Sequence, residues 1–141
     1  MKLSTQQPAL ATAENVSALA NALSKLADKL HHTLRRLTAE PSGDATIAYA
    51  LLTEEYALRA RANILHNDAG QHTLPDVNFS QAALIETLEA VERRLGEASS
   101  LEVVQSIVSD LITFASAINP GKAKVLNFLA QELGVSAMDS R

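Results

Sequence analysis

The sequence predicts an all-α protein, an up-and-down antiparallel helical bundle of four main helices plus a shorter C-terminal fifth. Apolar residues recur every three or four positions over long segments, which is the period of one helix face. No segment of strand length alternates apolar and polar residues with β-branched enrichment. The 5 Gly and 4 Pro fall almost entirely between the periodic segments, so short turns join long helices that pack as antiparallel neighbours.

The first helix is predicted over Ala13–Leu37 from one long apolar stripe. Thr12 is suited to cap its first turn. The sequence of residues 40–43 contains Pro and Gly and ends the helix, and Asp44 can cap the next one. The residues of the stripe are Val16, Leu19, Leu23, Leu26, Leu30, Leu34 and Leu37.

The second helix, Ala45–Asn67, is predicted to lie at the centre of the bundle, because apolar residues cover most of its circumference. One side carries Ile47, Leu51, Leu58, Ala62 and Leu65, and the opposite side carries Tyr49, Leu52, Tyr56, Ala60 and Ile64. The predicted solvent strip is Glu55, Arg59, Asn63 and His66. Within this strip, Glu55 and Arg59 have the i,i+4 spacing of an ion pair.

The rest of the chain predicts three further helices. After a connection over residues 68–78, Ser80 can cap a third helix that ends at Gly96. Ser99 with Glu102 then forms a capping box for a fourth helix.

The final helix is predicted to begin at Asn119-Pro120, because Pro is favoured at a first helical position, and to end at Gly134. Residues 12–134 are thus expected to form a single helical-bundle domain. Residues 1–11 are expected to be a flexible N-terminal segment, and residues 135–141 a flexible C-terminal tail.

Composition narrows the classes of protein to which the chain can belong. With 141 residues, 47% of them hydrophobic, it can bury one core, and Cys 0 excludes disulfides and thiolate metal sites. The first residues lack the apolar run of a secretory signal, and the most apolar later stretch is shorter than the roughly 20 residues of a membrane span. We therefore expect a soluble, cytoplasmic protein. A net charge of -4 and the absence of Trp disfavour a nucleic-acid surface.

Two charged residues of the second helix fall outside its predicted solvent strip. Glu54 lies within the first apolar side and Arg61 lies beside it, two helical turns apart. One interpretation is a partly buried ion pair or two side chains that extend to solvent. The alternative is a site for a small anionic ligand, in which Arg61 binds a carboxylate or phosphate and Glu54 orients it. Glu-x-x-His pairs are absent, so no di-iron site, other metal site or cofactor is expected.

A second pattern overlaps the first. The stretch from Arg61 to His66 resembles the Arg-x4-6-His motif of HEPN-superfamily ribonucleases, which are also small helical bundles. The resemblance implies RNA cleavage across a dimer interface with Arg61 and His66 as catalytic residues. The alternative is an Arg at the edge of the core and an exposed His.

The first helix carries a basic stripe opposite its leucines, formed by Lys25, Lys29, His32 and Arg36. It is either a solvated surface or a docking surface for an acidic partner. The stretch from His32 to Arg35 also resembles the phosphoacceptor segment of histidine phosphotransfer domains, in which a basic side chain follows the His three residues later. That resemblance implies a phosphorelay module that uses His32.

The sequence offers no nucleophile or metal cluster, but it has more apolar helix surface than one small bundle needs. We therefore expect a non-catalytic interaction or regulatory module that binds a protein partner or a second copy of itself as a homodimer. The ribonuclease, the phosphorelay module and the anionic-ligand site are the alternatives.

Overall fold

The computed structural model describes residues 7–39 and 45–138, without the side chains of Ser136 and Met138. Within these residues the chain is helical and contains no strand, so the all-α prediction is confirmed. The elements are α1 (Ala13–Leu37), α2 (Ala45–Asn67), a short 3₁₀ helix (Ala69–His72), α3 (Gln81–Glu97), α4 (Leu101–Ser116) and α5 (Ala123–Met138).

α1 and α2 are antiparallel, as their cross-helix contacts show. Asp28 accepts a hydrogen bond from Arg59 at 2.9 Å, and His31 lies 3.2 Å from Glu55. Along α1 the order is Asp28 and then His31, whereas their partners on α2 come in the reverse order, Arg59 after Glu55. The two helices therefore run in opposite directions. The pairing is the one that a short connection between two long helices favours.

α3 returns on another side of α1 and runs parallel to it. Gln81 at the start of α3 donates to the carbonyl of Asn15, and Thr33 near the end of α1 donates to the carbonyl of Leu95. α4 packs on α2, and α5 packs between α3 and α4. α3 and α4 themselves make little direct contact. The five helices therefore close a ring in the order α1, α2, α4, α5, α3. This arrangement agrees with the predicted up-and-down bundle.

The core lies inside this ring and consists of leucines with a few β-branched residues and one phenylalanine. The predicted stripe of α1 faces it, since Val16, Leu19 and Leu23 are fully buried. Phe114 of α4 is also completely buried. Each such side chain contributes about 1.5–3 kcal/mol when it leaves water, so the buried stripes supply most of the stabilisation.

The core begins before α1. Ala9 and Leu10 fall in the segment expected to be flexible, yet both are fully buried. The Ala9 amide donates to the carbonyl of Phe79 at 2.9 Å, and the Leu74 amide donates to the carbonyl of Leu10 at 2.7 Å. Leu10 has φ 62, a left-handed conformation that costs a non-glycine residue energy. We call residues 7–10, which lie along the start of α3, the N-terminal strap.

α3 extends one residue past Gly96 to Glu97, and the ends of α4 and α5 also differ from the prediction. Ser100 rather than Ser99 caps α4, and its hydroxyl accepts from the amide of Val103. α5 begins at Ala123 instead of Pro120, because Gly121 has φ 85 and interrupts the chain before the helix. It then continues through Gly134, and its 16 residues equal those of α4.

The predicted caps of α1 and α3 are confirmed: Thr12 accepts from the amide of Asn15, and Ser80 accepts from that of Ala83. The predicted break at residues 40–43 and the cap at Asp44 lie outside the described residues.

α2 has one buried side rather than two, which corrects its predicted central position. Leu51, Leu58 and Leu65 are buried, whereas Tyr49 and Tyr56 on the opposite side are exposed. The reason is the ring: α2 packs against α1 and α4, and no other described helix packs on its far side. The predicted solvent strip is also wrong at Glu55, which is 8% exposed.

Candidate interaction surface

The far side of α2 exposes four large apolar side chains. Tyr49 is 74% exposed, Leu52 48%, Tyr56 80% and Ile64 44%. They follow the helical period, so they form one continuous strip along the helix. We call this strip the α2 outer face, and its residues are Tyr49, Leu52, Tyr56, Ala60, Asn63 and Ile64.

The six residues of the α2 outer face carry no charge, and the charged residue at its edge, Arg59, has its guanidinium paired with Asp28 and Glu55. The four Asp, Glu, Lys and Arg positions of the helix are all buried or half-buried, and the exposed positions hold only neutral residues and His66. Over the described residues, each other helix has a charged residue at an exposed position. Examples are Lys25 in α1, Glu86 in α3, Glu102 in α4 and Lys124 in α5. α2 therefore inverts the usual pattern of a surface helix.

Two of the charges of α2 hold it against α1. Glu55 accepts from Arg59 at 3.1 and 2.9 Å and lies 3.2 Å from His31. Arg59 also donates to Asp28 at 2.9 Å, and this hydrogen bond is the main reason that the pKa of Arg59 is raised. Glu55 can be buried because its carboxylate has these partners.

Arg61 holds α2 against α4. Its guanidinium donates to the carbonyl of Ala115 at 2.9 Å and to that of Ile118 at 2.6 Å. Ala115 lies in the last turn of α4 and Ile118 two residues after its end at Ser116, a region where backbone carbonyls are incompletely paired and a cation is favourable. Burial lowers the pKa of the Arg61 guanidinium below its ordinary value. Arg61 is thus a cross-helix cap for the end of α4.

The predicted anionic-ligand site is not assembled as proposed from the sequence. No hydrogen bond or ion pair joins Glu54 to Arg61 in the described part of the chain, and one carboxylate oxygen of Glu54 is buried without a partner. Arg61 already donates from two of its nitrogens to α4. A ligand carboxylate or phosphate would have to displace those carbonyls.

His66, the other residue of the ribonuclease-like motif, is exposed at the end of α2. Arg61 instead points to the last turn of α4. The two side chains diverge, as positions five apart on a regular helix do. The structure does not bring them to a common point.

The basic stripe of α1 is engaged with α3 over half its length. Arg36 donates to the carbonyls of Gly96 and Ala98 at 3.1 and 3.0 Å, and the Lys29 side chain lies over Gly96. Lys25 and His32 stay exposed. Arg36 therefore serves as a cap for the end of α3, and only part of the stripe is available to a partner.

A second apolar strip lies on α5 and was not singled out from the sequence. Val125 is 47% exposed, Phe128 59% and Val135 63%. The sequence predicted Val125 and Phe128 as apolar residues of the last helix together with Leu126, which is buried, and it placed Val135 in the C-terminal tail. Beside this strip, a cleft of about 340 Å³ between α3 and α5 is lined mostly by uncharged side chains.

The structure contains no group of three or more potential metal ligands among the residues it describes. None of its described helices combines the length and apolarity that a bilayer crossing requires. Comparisons of the chain with protein-family models, with curated proteins and with solved structures gave no significant match.

Proposed function

We propose that the protein is a non-catalytic interaction or regulatory module that binds a protein partner through the α2 outer face. The observation that carries this proposal is the combination of Tyr49, Leu52, Tyr56 and Ile64 in solvent with no charged residue among them. A contiguous apolar patch on a small protein marks a contact surface more often than a solvated one.

The composition of the α2 outer face supports a protein as the partner. Tyrosine combines a large apolar ring with a hydroxyl, and it is enriched where protein surfaces meet. Charged residues are depleted at the centre of such contacts. Burial of Leu52 or Ile64 against a partner would contribute about 1.5–3 kcal/mol each, which is enough for a specific complex when several are covered together.

The internal contacts of α2 support a binding role over a catalytic one. Three of the ionisable groups of α2, Glu55, Arg59 and Arg61, are each engaged in hydrogen bonds between helices. Ribonuclease activity through Arg61 and His66 would require the cap on α4 to break. Incubation of the protein with RNA, compared with the His66→Ala variant, tests that alternative directly.

We also propose a cytoplasmic location, because a chain with Cys 0 suits a reducing compartment.

Site-specific photocrosslinking in the native host tests the proposed interaction. A photoreactive amino acid replaces Tyr56 in the full chain, and a matched protein carries it at Glu86, an exposed position of α3. We expect a discrete crosslinked species at position 56 that is absent at position 86. No crosslink at position 56, or the same products at both positions, would contradict the proposal.

A second function is favoured by the placement of Arg36. His32 is exposed. The side chain of Arg36, one turn later in α1, would obstruct the approach of a receiver domain to His32, but it lies against the end of α3. The exposed imidazole is thus accessible for phosphotransfer. Incubation with a phosphorylated receiver domain should then label His32, and His32→Gln should abolish the label. A wild-type protein that takes up no phosphate would remove this alternative.

A further inference from the structure

We propose that the partner at the α2 outer face is a second copy of this chain, and that the two α2 helices cross antiparallel about a twofold axis at Tyr56. This inference rests on the proposed function and names its partner.

The absence of charge on the face favours a second copy. In a twofold contact the same surface of each copy takes part, so a charged residue near the axis would lie close to the identical residue of the second copy, which has the same sign of charge. The whole chain carries a net charge of -4, so two copies repel each other at long range. The α2 outer face is a long helix surface without a charged residue, and the charge of Arg59 at its edge is offset by Asp28 and Glu55, so two copies can approach there with little repulsion. A partner selected by charge would need complementary charges on this face, and it carries none.

The order of large and small residues favours the antiparallel arrangement. Antiparallel pairing centred on Tyr56 places Leu52 opposite position 60 of the second copy, which is Ala. It likewise places Tyr49 opposite position 63, which is Asn. Large side chains thus meet small ones, and the Tyr49 hydroxyl meets an amide. Parallel pairing would instead stack each large residue on itself and leave a gap at Ala60.

The area of the contact indicates that α4 takes part. A helix of 23 residues is about 35 Å long, and a strip about 10 Å wide along it covers roughly 350 Å². Stable complexes bury about 800 Å² per partner, so α2 alone offers too little. α4 lies beside α2, and after Glu102 its exposed positions are Gln105, Ser106, Ser109, Thr113 and Ser116, all uncharged. α4 has 16 residues and is about 24 Å long, so it adds roughly 240 Å² and brings the face to roughly 590 Å² per copy, near the lower end, about 600 Å² per partner, of the range for stable complexes.

Light scattering after size-exclusion chromatography tests self-association with the purified full chain. We expect a mass of two chains at micromolar concentration. Tyr56→Asp places two carboxylates at the axis and should raise the dissociation constant about 100-fold or more, as disruption of a central contact does. Because Tyr56 is exposed in the single chain, circular dichroism should show an unchanged helix content. Ser24→Asp, an exposed position on α1, is the matched control and should leave the dimer intact. A wild-type mass of one chain at tens of micromolar would overturn the inference.

Disulfide mapping tests the geometry, and Cys 0 makes each introduced cysteine the only one. Tyr56→Cys should form a covalent dimer on mild oxidation, because the axis brings the two copies of position 56 together. Tyr49→Cys should not crosslink to itself, because its two copies would lie about 20 Å apart, but it should crosslink to Asn63→Cys in a mixture. Efficient crosslinking of Tyr49→Cys to itself would show a parallel pair and overturn the proposed axis.

The two proposals fail in different ways. The chain could be a monomer in solution and still give a crosslink at position 56 with a different protein in the host. This result would support the proposed function and contradict the proposal that the partner is a second copy. A monomer with no crosslink at position 56 contradicts both.

Discussion

The guanidinium of Arg61 donates a hydrogen bond of 2.6 Å to the carbonyl of Ile118, and so α2 completes the end of α4. The two residues are 57 positions apart in sequence. A residue whose charge looked like part of a ligand site is instead a structural connection between two helices. Its stability contribution can be measured.

Replacement of Arg61 by Ala should lower the free energy of unfolding by about 1.5–3 kcal/mol, because two buried carbonyls lose a charged donor. Arg61→Lys should recover only part of this loss, because an ammonium cannot present two nitrogens in the same fork. Urea denaturation monitored by circular dichroism measures both. Arg93→Ala, at an exposed position of α3, is the control and should change stability by less than about 0.5 kcal/mol. An Arg61→Ala variant as stable as wild type would show that the cap is not needed.

Glu55 and Asp28 share Arg59 as a partner but differ in burial. Glu55 is 8% exposed and Asp28 is exposed. Glu55→Ala should destabilise the protein by about 1–2 kcal/mol, because Arg59 and His31 lose a desolvated acceptor. Asp28→Ala should cost at most about 1 kcal/mol, as exposed ion pairs do. Denaturation of both variants at the same ionic strength gives the comparison, and equal losses would show that burial of the pair is not the determinant.

Thr33 is 2% exposed and donates its hydroxyl to the carbonyl of Leu95 at 3.0 Å, which joins α1 to α3. Thr33→Val keeps the shape and removes the donor, so we expect a loss of about 0.5–1.5 kcal/mol. Thr113→Val removes a comparable hydroxyl that is exposed and bonds within its own helix. It should change stability by less than about 0.5 kcal/mol. Comparison of the thermal unfolding of these two variants separates the contribution of a hydrogen bond between helices from that of a hydrogen bond within one helix.

Leu10 combines full burial with φ 62. Leu10→Ala should destabilise by about 2–5 kcal/mol through the cavity it leaves. Leu10→Gly removes more of the side chain but relieves the left-handed strain, and it should be about 0.5–1 kcal/mol more stable than Leu10→Ala. Chemical denaturation provides the ranking, and a glycine variant less stable than the alanine variant would argue against strain at this residue.

Most of the fold could be predicted from local signals. The apolar period of α1 and the caps at Thr12 and Ser80 are encoded within a few residues of each helix end, and the structure confirms them. The start of α5 was missed, because Pro120 is compatible with a first helical position and the positive φ of Gly121 is set by the turn around it.

The position of α2 could not be predicted from its sequence, because an apolar helix side does not indicate whether the rest of the same chain packs against it. Glu55 was placed in the solvent strip from its position on the helix circumference, between the two apolar sides. Its partner His31 lies on another helix, 24 positions away, and no periodic pattern reports such a contact. Likewise, the carbonyls that Arg61 caps have no signature in the sequence.

The N-terminal strap has a consequence for how the protein opens. Leu10 donates its amide to the side chain of Gln81, 71 positions away, and the Ala9 amide donates to Phe79. A short segment held by a few hydrogen bonds can leave its partners while the five helices stay packed, so its release costs less than global unfolding. In native-state hydrogen exchange, the amide protons of Ala9 and Leu10 should therefore be replaced by deuterium well before those in the middle of α1, and they would report this partial opening separately.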